Sequence, residues 1–364
     1  MTAAVIKEQT LRRLQGKVWL NSEIGIPIDD VFEATHYMIN GTSGGGKSFL
    51  LALIASQYPN VDFFDGKGGQ KFEFITKELK VRDEWEFFDV EGYTNLYNNP
   101  LKINVRDLYP DVLNVLQIKK DGYLEQVRPA LEEFFGLPAD DPEKTFEGFR
   151  ELLVEPVRGK KFYPELFREL KCVLHPKDEG MSIKEFITGK KYIDINGFPV
   201  NNRAIGLLAS RALQYKKLSK DSEKLLFALD EADTVAPLYT SLNEAFSVVF
   251  SQGRSSNISG CVSGTLHTKL GMTIKQNSTV LLFFRSQKKV ADAIWDDFGV
   301  NLIEEEFKAA EMLHDKGNCV FYSPNFGHSS QKMIYIDPEF FRKEVKKQEE
   351  KDYVTVDWSR YAGV

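Results

Sequence analysis

Residues 41–48 read Gly-Thr-Ser-Gly-Gly-Gly-Lys-Ser and have the types and spacing of a phosphate-binding loop. They fit the pattern GxxxxGK[ST] at every required position. Glycines let the backbone N–H groups of such a loop turn inward around phosphate oxygens, and the amino end of the following helix adds a favourable dipole. The predicted phosphate contacts are Gly41, Thr42, Ser43, Gly44, Gly45, Gly46, Lys47, Ser48 and Phe49. Lys47 would reach the β- and γ-phosphates, and the Ser48 hydroxyl would bind Mg²⁺.

A pair of adjacent acids, Asp230 and Glu231, follows the apolar run at residues 225–229. A buried strand would deliver both to its carboxyl end, where the ligand sites of α/β sheets lie. Asp230 would hold Mg²⁺ through water, which leaves Glu231 to orient and deprotonate an attacking water. Because no [NT]KxD run for guanine is present, the sequence predicts hydrolysis of ATP with Mg²⁺.

Short apolar runs alternate with helical stretches along the chain, which is typical of an α/β fold with a mainly parallel sheet and helices on both faces. Residues 35–40 read as a strand that enters the phosphate loop, and residues 48–57 read as the helix that leaves it. Further strands are predicted at residues 61–64, 192–195, 225–229, 260–263 and 280–284. Each is short and apolar, as a buried parallel strand should be.

The composition of the chain changes after residue 104: charged residues become frequent, and apolar residues recur at helical spacing. Residues 105–180 are therefore predicted to form a helical insertion within one ATPase motor domain that spans residues 1–350. Residues 351–364 are predicted to be a C-terminal tail.

The overall composition is that of an ordinary globular protein, with 42% hydrophobic and 27% charged residues and a net charge of −6. A mildly acidic balance argues against a chain coated in nucleic acid, although a few basic loops lining a channel remain compatible with it. No apolar run approaches the roughly 20 residues that span a bilayer, so no integral membrane segment is expected. Three scattered cysteines form no CxxC pair, which favours a cytoplasmic protein.

Beyond these two motifs, the sequence resembles the FtsK/SpoIIIE and HerA ATPases over nearly the whole chain except the insertion. In that group a short hairpin precedes a histidine, a strand and the phosphate loop, as do residues 17–28 and His36 here. The segments similar to later motifs of the group are FFDGKG at 63–68, KYIDING at 191–197, SQGRSSNI at 251–258, IKQN at 274–277 and GNCVFY at 317–322. Each later motif is weak by itself, but their order and spacing together are specific.

The resemblance implies a RecA-like P-loop fold and a homo-oligomeric ring, usually a hexamer, that moves DNA through its channel. The DNA is expected to be duplex and held independently of its sequence. The implied location is the cytoplasm, either beside a membrane channel or at a viral procapsid, with membrane or capsid/portal proteins as partners. Two other functions stay open: an ATPase that powers protein or pilus-type secretion, and a nucleotide-switch scaffold.

The resemblance also implies roles for further residues. Arg254 matches the arginine of a "GR" turn and is a candidate to act catalytically at a subunit interface, although it could equally brace a helix end. Arg285, which follows the strand at 280–284, is the competing candidate. Thr265 aligns where the family usually has a glutamine that senses the γ-phosphate, and its hydroxyl is a candidate to orient the attacking water more weakly. Slow basal hydrolysis, or stimulation only by a partner, would fit this change. Asp65 and Lys67 either order the nucleotide site or only end a strand.

Overall fold

The computed structural model describes residues 17–21, 24–28, 35–110, 127–154, 163–177, 179–199, 203–300, 302, 317–323 and 328–336. In chain order the strands are β1 (Lys17–Trp19), β2 (Gly25–Pro27), β3 (Tyr37–Asn40), β4 (Asn60–Asp65), β5 (Trp85–Asp89), β6 (Lys190–Asp194), β7 (Leu225–Asp230), β8 (Ile258–Gly264), β9 (Val280–Phe283), β10 (Asn318–Ser323) and β11 (His328–Tyr335). The α-helices are α1 (Lys47–Ser56), α2 (Lys71–Glu78), α3 (Arg128–Gly136), α4 (Phe146–Val154), α5 (Pro164–Leu170), α6 (Ile183–Phe186), α7 (Ala204–Ser219), α8 (Ala232–Val235), α9 (Ser241–Gln252), α10 (Met272–Asn277) and α11 (Lys288–Phe298).

Within these residues, one sheet of nine strands has the order β11-β10-β9-β3-β8-β7-β4-β6-β5. The seven strands from β9 to β5 are parallel, and β10 and β11 add an antiparallel edge. The prediction of a mainly parallel sheet covered by helices is therefore confirmed. Strand β8 lies between β3, which leads into the phosphate loop, and β7, which ends at Asp230.

The two faces of the sheet pack against different sets of helices because side chains alternate along each strand. On β3, Tyr37 and Ile39 belong to one apolar core together with α1, α2 and the β1–β2 hairpin. Met38 points the other way, into a larger core that includes residues of α3–α7 and α9–α11. The central parallel strands β3, β4, β6, β7, β8 and β9 are buried on both faces, which explains why the predicted ones read as short continuous apolar runs.

Helix α1 positions the phosphate loop and is apolar on nearly every side. Leu50 through Ala55 are all 0% exposed, because the helix lies between the sheet and the β1–β2 hairpin. The Gln57 side chain fastens that hairpin, accepting from Trp19 N at 2.8 Å and donating to Trp19 O at 3.0 Å. The short hairpin that the family resemblance implies is thus present, and it covers the helix that follows the phosphate loop.

The structure extends several predicted strands by one or two residues and adds strands that the apolar pattern did not indicate. Strand β5 was not predicted, because Glu86 interrupts its buried aromatic residues and the strand is therefore not a continuous apolar run. Between residues 105 and 180 the described residues hold α3, α4 and α5, which pack on the larger core. The tail at 351–364 lies outside the described residues. No described helix is long and apolar enough to cross a membrane.

Asp62 of β4 and Lys191 of β6 are a buried acid and a buried base that pair side by side on adjacent strands. Asp62 is fully buried, and among the described residues neither of its carboxyl oxygens finds a hydrogen-bond partner. Burial raises the pKa of Asp62 to about 8, while the charge of Lys191 opposes the rise. The folded chain therefore retains a proton on Asp62 that the unfolded chain releases near pH 4.

We expect the Asp62→Asn variant to change how stability depends on pH. Because the folded pKa is raised, the stabilisation from this group is complete below the unfolded pKa near 4 and is lost as the pH rises through about 8. The free energy of unfolding of the parent should fall relative to the variant by at most about 1.4 kcal/mol per pH unit between those values. Urea unfolding between pH 5 and 8.5 measures this difference, with the exposed Asp83→Asn as a control that should track the parent. Parallel curves for the parent and Asp62→Asn would contradict the assignment.

Candidate nucleotide site

The phosphate loop is held at the carboxyl edge of the sheet by the ends of two strands that flank β3. Gly41 N donates to Gly264 O at the end of β8, at 3.3 Å. Thr42 donates twice to Arg285 O, just after β9, through its backbone N at 2.8 Å and its hydroxyl at 3.1 Å. The loop therefore takes its position from its neighbours in the sheet as well as from β3.

Glycine is required at the start of this loop for a steric reason. Gly41 has φ 153°, and a Cβ built on it would lie 2.6 Å from Cβ of Phe284. Gly46, at φ 109°, has the left-handed conformation immediately before α1. The first turn of α1 contains no acidic residue, so its open N–H groups and helix dipole favour an anion.

Lys47 is the first residue of α1, and its ammonium group lies inside the loop. Its Nζ donates to Gly41 O at 2.7 Å and to Thr42 O at 3.1 Å, and the residue is 5% exposed. Burial lowers the pKa of Lys47, while the negative charge of Glu231 opposes that change. The lysine is thus already oriented toward the place where the loop would hold phosphates.

Asp230 and Glu231 differ in environment although they are adjacent. Asp230 ends β7 and is 3% exposed, and its Oδ1 accepts from the Ser263 hydroxyl and from Glu231 N at 3.0 Å. Glu231 adopts the left-handed conformation, at φ 56°, and immediately precedes α8. Its carboxylate forms an ion pair with Lys67. The backbone turn therefore separates a buried carboxylate from a more accessible one.

The segment after β4 belongs to the site. Asp65 pairs in register with Asp230, and its carboxylate accepts from Lys67 N at 2.8 Å, Gly68 N at 3.2 Å and the Tyr192 hydroxyl at 2.8 Å. Burial, and secondly the charge of Asp230, raise the pKa of Asp65 to about 6. Asp65 thus fixes the turn that brings Lys67 to Glu231, which favours the interpretation that these two residues order the site.

The oxygen atoms proposed to hold Mg²⁺ suit that ion. Ser48 and Asp230 line the same narrow cavity, and hydroxyl and carboxylate oxygens are the hard donors that Mg²⁺ prefers together with waters and phosphates. Lys71, on α2, also lines the cavity and donates to Ser48 Oγ at 3.2 Å. These residues fit a magnesium ion bound with a nucleotide phosphate.

The hydroxyl that meets Asp230 is that of Ser263, which the sequence analysis did not single out. Ser263 is fully buried on β8, between the two motif strands. Thr265 lies two residues later, past the end of the strand, where its backbone N donates to Asp233 at 3.1 Å. Ser263 and Asp233 belong to short polar runs, Ser-Gly-Thr at 263–265 and Asp-Glu-Ala-Asp at 230–233, and those runs were the available signals.

The two candidate arginines lie at opposite edges of the sheet. Arg254 is exposed in the turn before β8. It lies close to His36, which precedes β3: burial, and secondly the charge of Arg254, lower the pKa of His36 to about 3. Arg254 therefore lies near the start of β8, and the six residue steps from Ile258 to Gly264 at its end span about 20 Å. Arg285, also exposed, adjoins the phosphate loop of its own chain. Arg254 is therefore remote from the nucleotide site of its own chain.

The adjacent lysines Lys216 and Lys217 and the adjacent lysines Lys288 and Lys289 differ in their surroundings. Lys216 is buried and binds Glu223 O and Asp221, so it is a structural residue. Lys288 and Lys289 are exposed at the start of α11.

Solved structures with the same arrangement of elements identify the fold. VirB4 of Thermoanaerobacter pseudethanolicus superposes with a TM-score of 0.58 at 15% identity, covering 89% of this chain and 95% of that one. The bacterial conjugative coupling protein TrwB gives 0.50 at 13% identity, covering 94% and 86%. This chain has the P-loop fold of VirB4 and TrwB. No protein-family model and no curated protein matches the sequence.

The Gly41→Ala variant tests the steric argument for the loop. We expect loss of nucleotide binding and a lower melting temperature, because the new Cβ collides with Phe284 in addition to the strain of a positive φ, which costs about 1–3 kcal/mol. Gly92→Ala is the matched control, since Gly92 has φ 83° and open space around its Cβ position. Binding of a fluorescent ATP analogue and thermal melting measure both effects. Equal behaviour of the two variants would contradict the role given to Phe284.

Proposed function

We propose that this chain is a Mg²⁺-dependent ATPase that moves duplex DNA as one subunit of a homo-oligomeric ring, with residues 1–350 as its motor domain. The observation that carries the ATPase assignment is the convergence of Lys47, Ser48, Asp230 and Glu231 at one edge of the sheet. Charges in this site interact, since Glu231 and Asp230 both oppose the lowering of the Lys47 pKa.

The residues divide the work of hydrolysis between them. The loop N–H groups and Lys47 would bind the β- and γ-phosphates. Ser48 and Asp230 would hold Mg²⁺, which neutralises charge developing on the phosphates when bound. Glu231 would accept a proton from the attacking water, after Lys67 has fixed the direction of its carboxylate. Ser263 keeps Asp230 oriented through the buried hydrogen bond.

Three observations support DNA and a ring as the context for this chemistry. The fold likeness includes a protein described as a bacterial conjugative coupling protein, and the sequence resembles DNA-translocating ATPases in the order of its motifs. Arg254 lies exposed at the edge opposite the phosphate loop, where a neighbouring subunit of a ring could receive it. A trans arginine at the transferring phosphoryl group contributes about 10³–10⁵-fold in rate.

The central experiment is ATP turnover by the full chain with and without duplex DNA of several sequences. We expect DNA to stimulate phosphate release regardless of its sequence and the effect to weaken with salt, because a translocase holds phosphates rather than bases. Glu231→Gln should lower turnover by about 10²–10⁴-fold while ATP still binds, because the variant loses the base but keeps its shape. Lys47→Ala should weaken ATP binding as well.

Different outcomes would remove different parts of the proposal. A Glu231→Gln protein as active as the parent would remove the catalytic base. Turnover that is unaffected by DNA, together with no DNA retention at low salt, would remove the translocase assignment and leave an ATPase of another kind. A sequence-specific footprint would contradict translocation in favour of a recognition role.

Mixing inactive variants tests which arginine acts between subunits. Arg254→Ala should reduce turnover by about 10³–10⁵-fold if its charge reaches a neighbouring phosphate. Mixing it with Glu231→Gln should restore activity, since some interfaces then combine an intact Glu231 with an intact Arg254. Arg285→Ala is the matched control: because Arg285 adjoins its own loop, its mixture with Glu231→Gln contains no complete site.

The measurement is phosphate release as a function of the mixing ratio. Recovery with Arg285→Ala but not with Arg254→Ala would reverse the assignment. A monomer whose specific activity is independent of protein concentration would contradict catalysis between subunits.

A further inference from the structure

Asp233 lies two residues beyond Glu231 and connects the nucleotide site to an exposed part of the chain. It is 5% exposed and belongs to α8, the single helical turn that follows Glu231. Its carboxylate accepts two backbone donors from the chain that follows β8, Thr265 N at 3.1 Å to Oδ1 and Leu266 N at 2.9 Å to Oδ2. Both oxygens are thus used to hold residues 265–271, which we name the 265–271 loop.

The contact between α8 and the end of β8 is too close for any side chain at residue 264. A Cβ built on Gly264 would lie 2.6 Å from Oδ1 of Asp233. The carbonyl of the same glycine accepts the hydrogen bond from Gly41 N, the first residue of the phosphate loop. Gly264 therefore contacts the phosphate loop through its carbonyl and packs directly against Asp233 of α8. A displacement of the phosphate loop or of α8 would consequently shift the other through Gly264.

On the side facing solvent, the 265–271 loop carries a second segment. Lys269 O accepts from Leu238 N at 3.0 Å, and Leu238 is followed by Tyr239, which is 87% exposed in a left-handed conformation at φ 68°. Met272, directly after the loop, is 57% exposed. Leu238 is 38% exposed, and we name Leu238 and Tyr239 the exposed tip, in which large apolar side chains face solvent.

A third contact fixes α8 from the side of Lys67. A Cβ built on Gly66 would lie 2.5 Å from Cγ1 of Val235 on α8, and the next residue, Lys67, pairs with Glu231. Helix α8 is thus held at its start by the residue assigned as base and on its side by the segment after β4. Glu231 immediately precedes α8 and Asp233 lies within it, so a movement of the backbone at the start of the helix changes the position of both residues.

We propose that Asp233 is a positioning residue that transmits the nucleotide state of the site to the exposed tip. Binding of ATP acts on the phosphate loop and on Glu231, and the two hydrogen bonds of Asp233 carry the displacement to the 265–271 loop and, through Lys269, to Leu238 and Tyr239. This rests on the proposed function only in requiring that the site binds ATP. In a motor, the tip is then the part whose position follows the ATP cycle.

Hydrogen exchange of the full chain, with and without Mg²⁺ and ATPγS, tests this path directly. In the parent, the nucleotide should slow exchange in the phosphate loop and also in the 265–271 loop. Asp233→Asn should retain the first effect and lose the second, because an amide offers one acceptor oxygen where the carboxylate offers two. Asp292→Asn, on an exposed position of α11, is the matched control and should behave like the parent.

Asp233→Ala provides a second variant if the asparagine protein does not fold, since it removes both acceptor oxygens without adding volume; it should lose the same protection. Nucleotide-dependent protection of the 265–271 loop that persists in the variants would overturn the role of Asp233. Protection confined to the phosphate loop of the parent would overturn the path while leaving ATP binding intact. Absence of protection in both loops of the parent would overturn ATP binding and the path together.

Discussion

The shared register of the parallel strands β3, β8, β7 and β4 is the constraint on which the nucleotide site depends. Parallel strands in register end at one edge, so their terminal residues meet there. Gly264 ends β8, Asp230 ends β7 and Asp65 ends β4 beside it. A shift of one residue in any of these pairings would turn a carboxylate to the opposite face of the sheet.

Buried carboxylates at this edge are tolerated because each receives hydrogen bonds, since an unpaired buried charge is costly. Asp230 accepts from Ser263 and Glu231 N, and Asp65 accepts from Tyr192 and two backbone N–H groups. Burial, and secondly the repulsion between these two carboxylates, still raise the pKa of Asp65. A divalent cation at Ser48 and Asp230 would reduce that repulsion, which links binding of the metal to the electrostatics of the whole edge.

Close backbone approaches tie the site to its surroundings more tightly than the ion pairs on the surface do. Only glycine fits at position 41, because Phe284 leaves no room for a side chain there. Only glycine fits at position 264 for the same reason, since Asp233 is equally close. Packed interiors do not deform continuously, so these contacts pass on displacement rather than absorbing it. The Lys67–Glu231 ion pair, with Lys67 about half exposed, contributes less to this rigidity, because solvent screens it.

The sequence alone determined the phosphate loop, the acid pair and the class of fold, because each depends on a pattern of residues that are close together in the chain. The loop needs glycines and a lysine at fixed spacing, and buried parallel strands are continuous apolar runs. Only the tertiary structure decided that Ser263 rather than Thr265 meets Asp230, that Lys67 pairs with Glu231, and that Arg254 and Arg285 lie at opposite edges. Those facts depend on strand order, which places residues far apart in the chain side by side, and local spacing carries no record of that order.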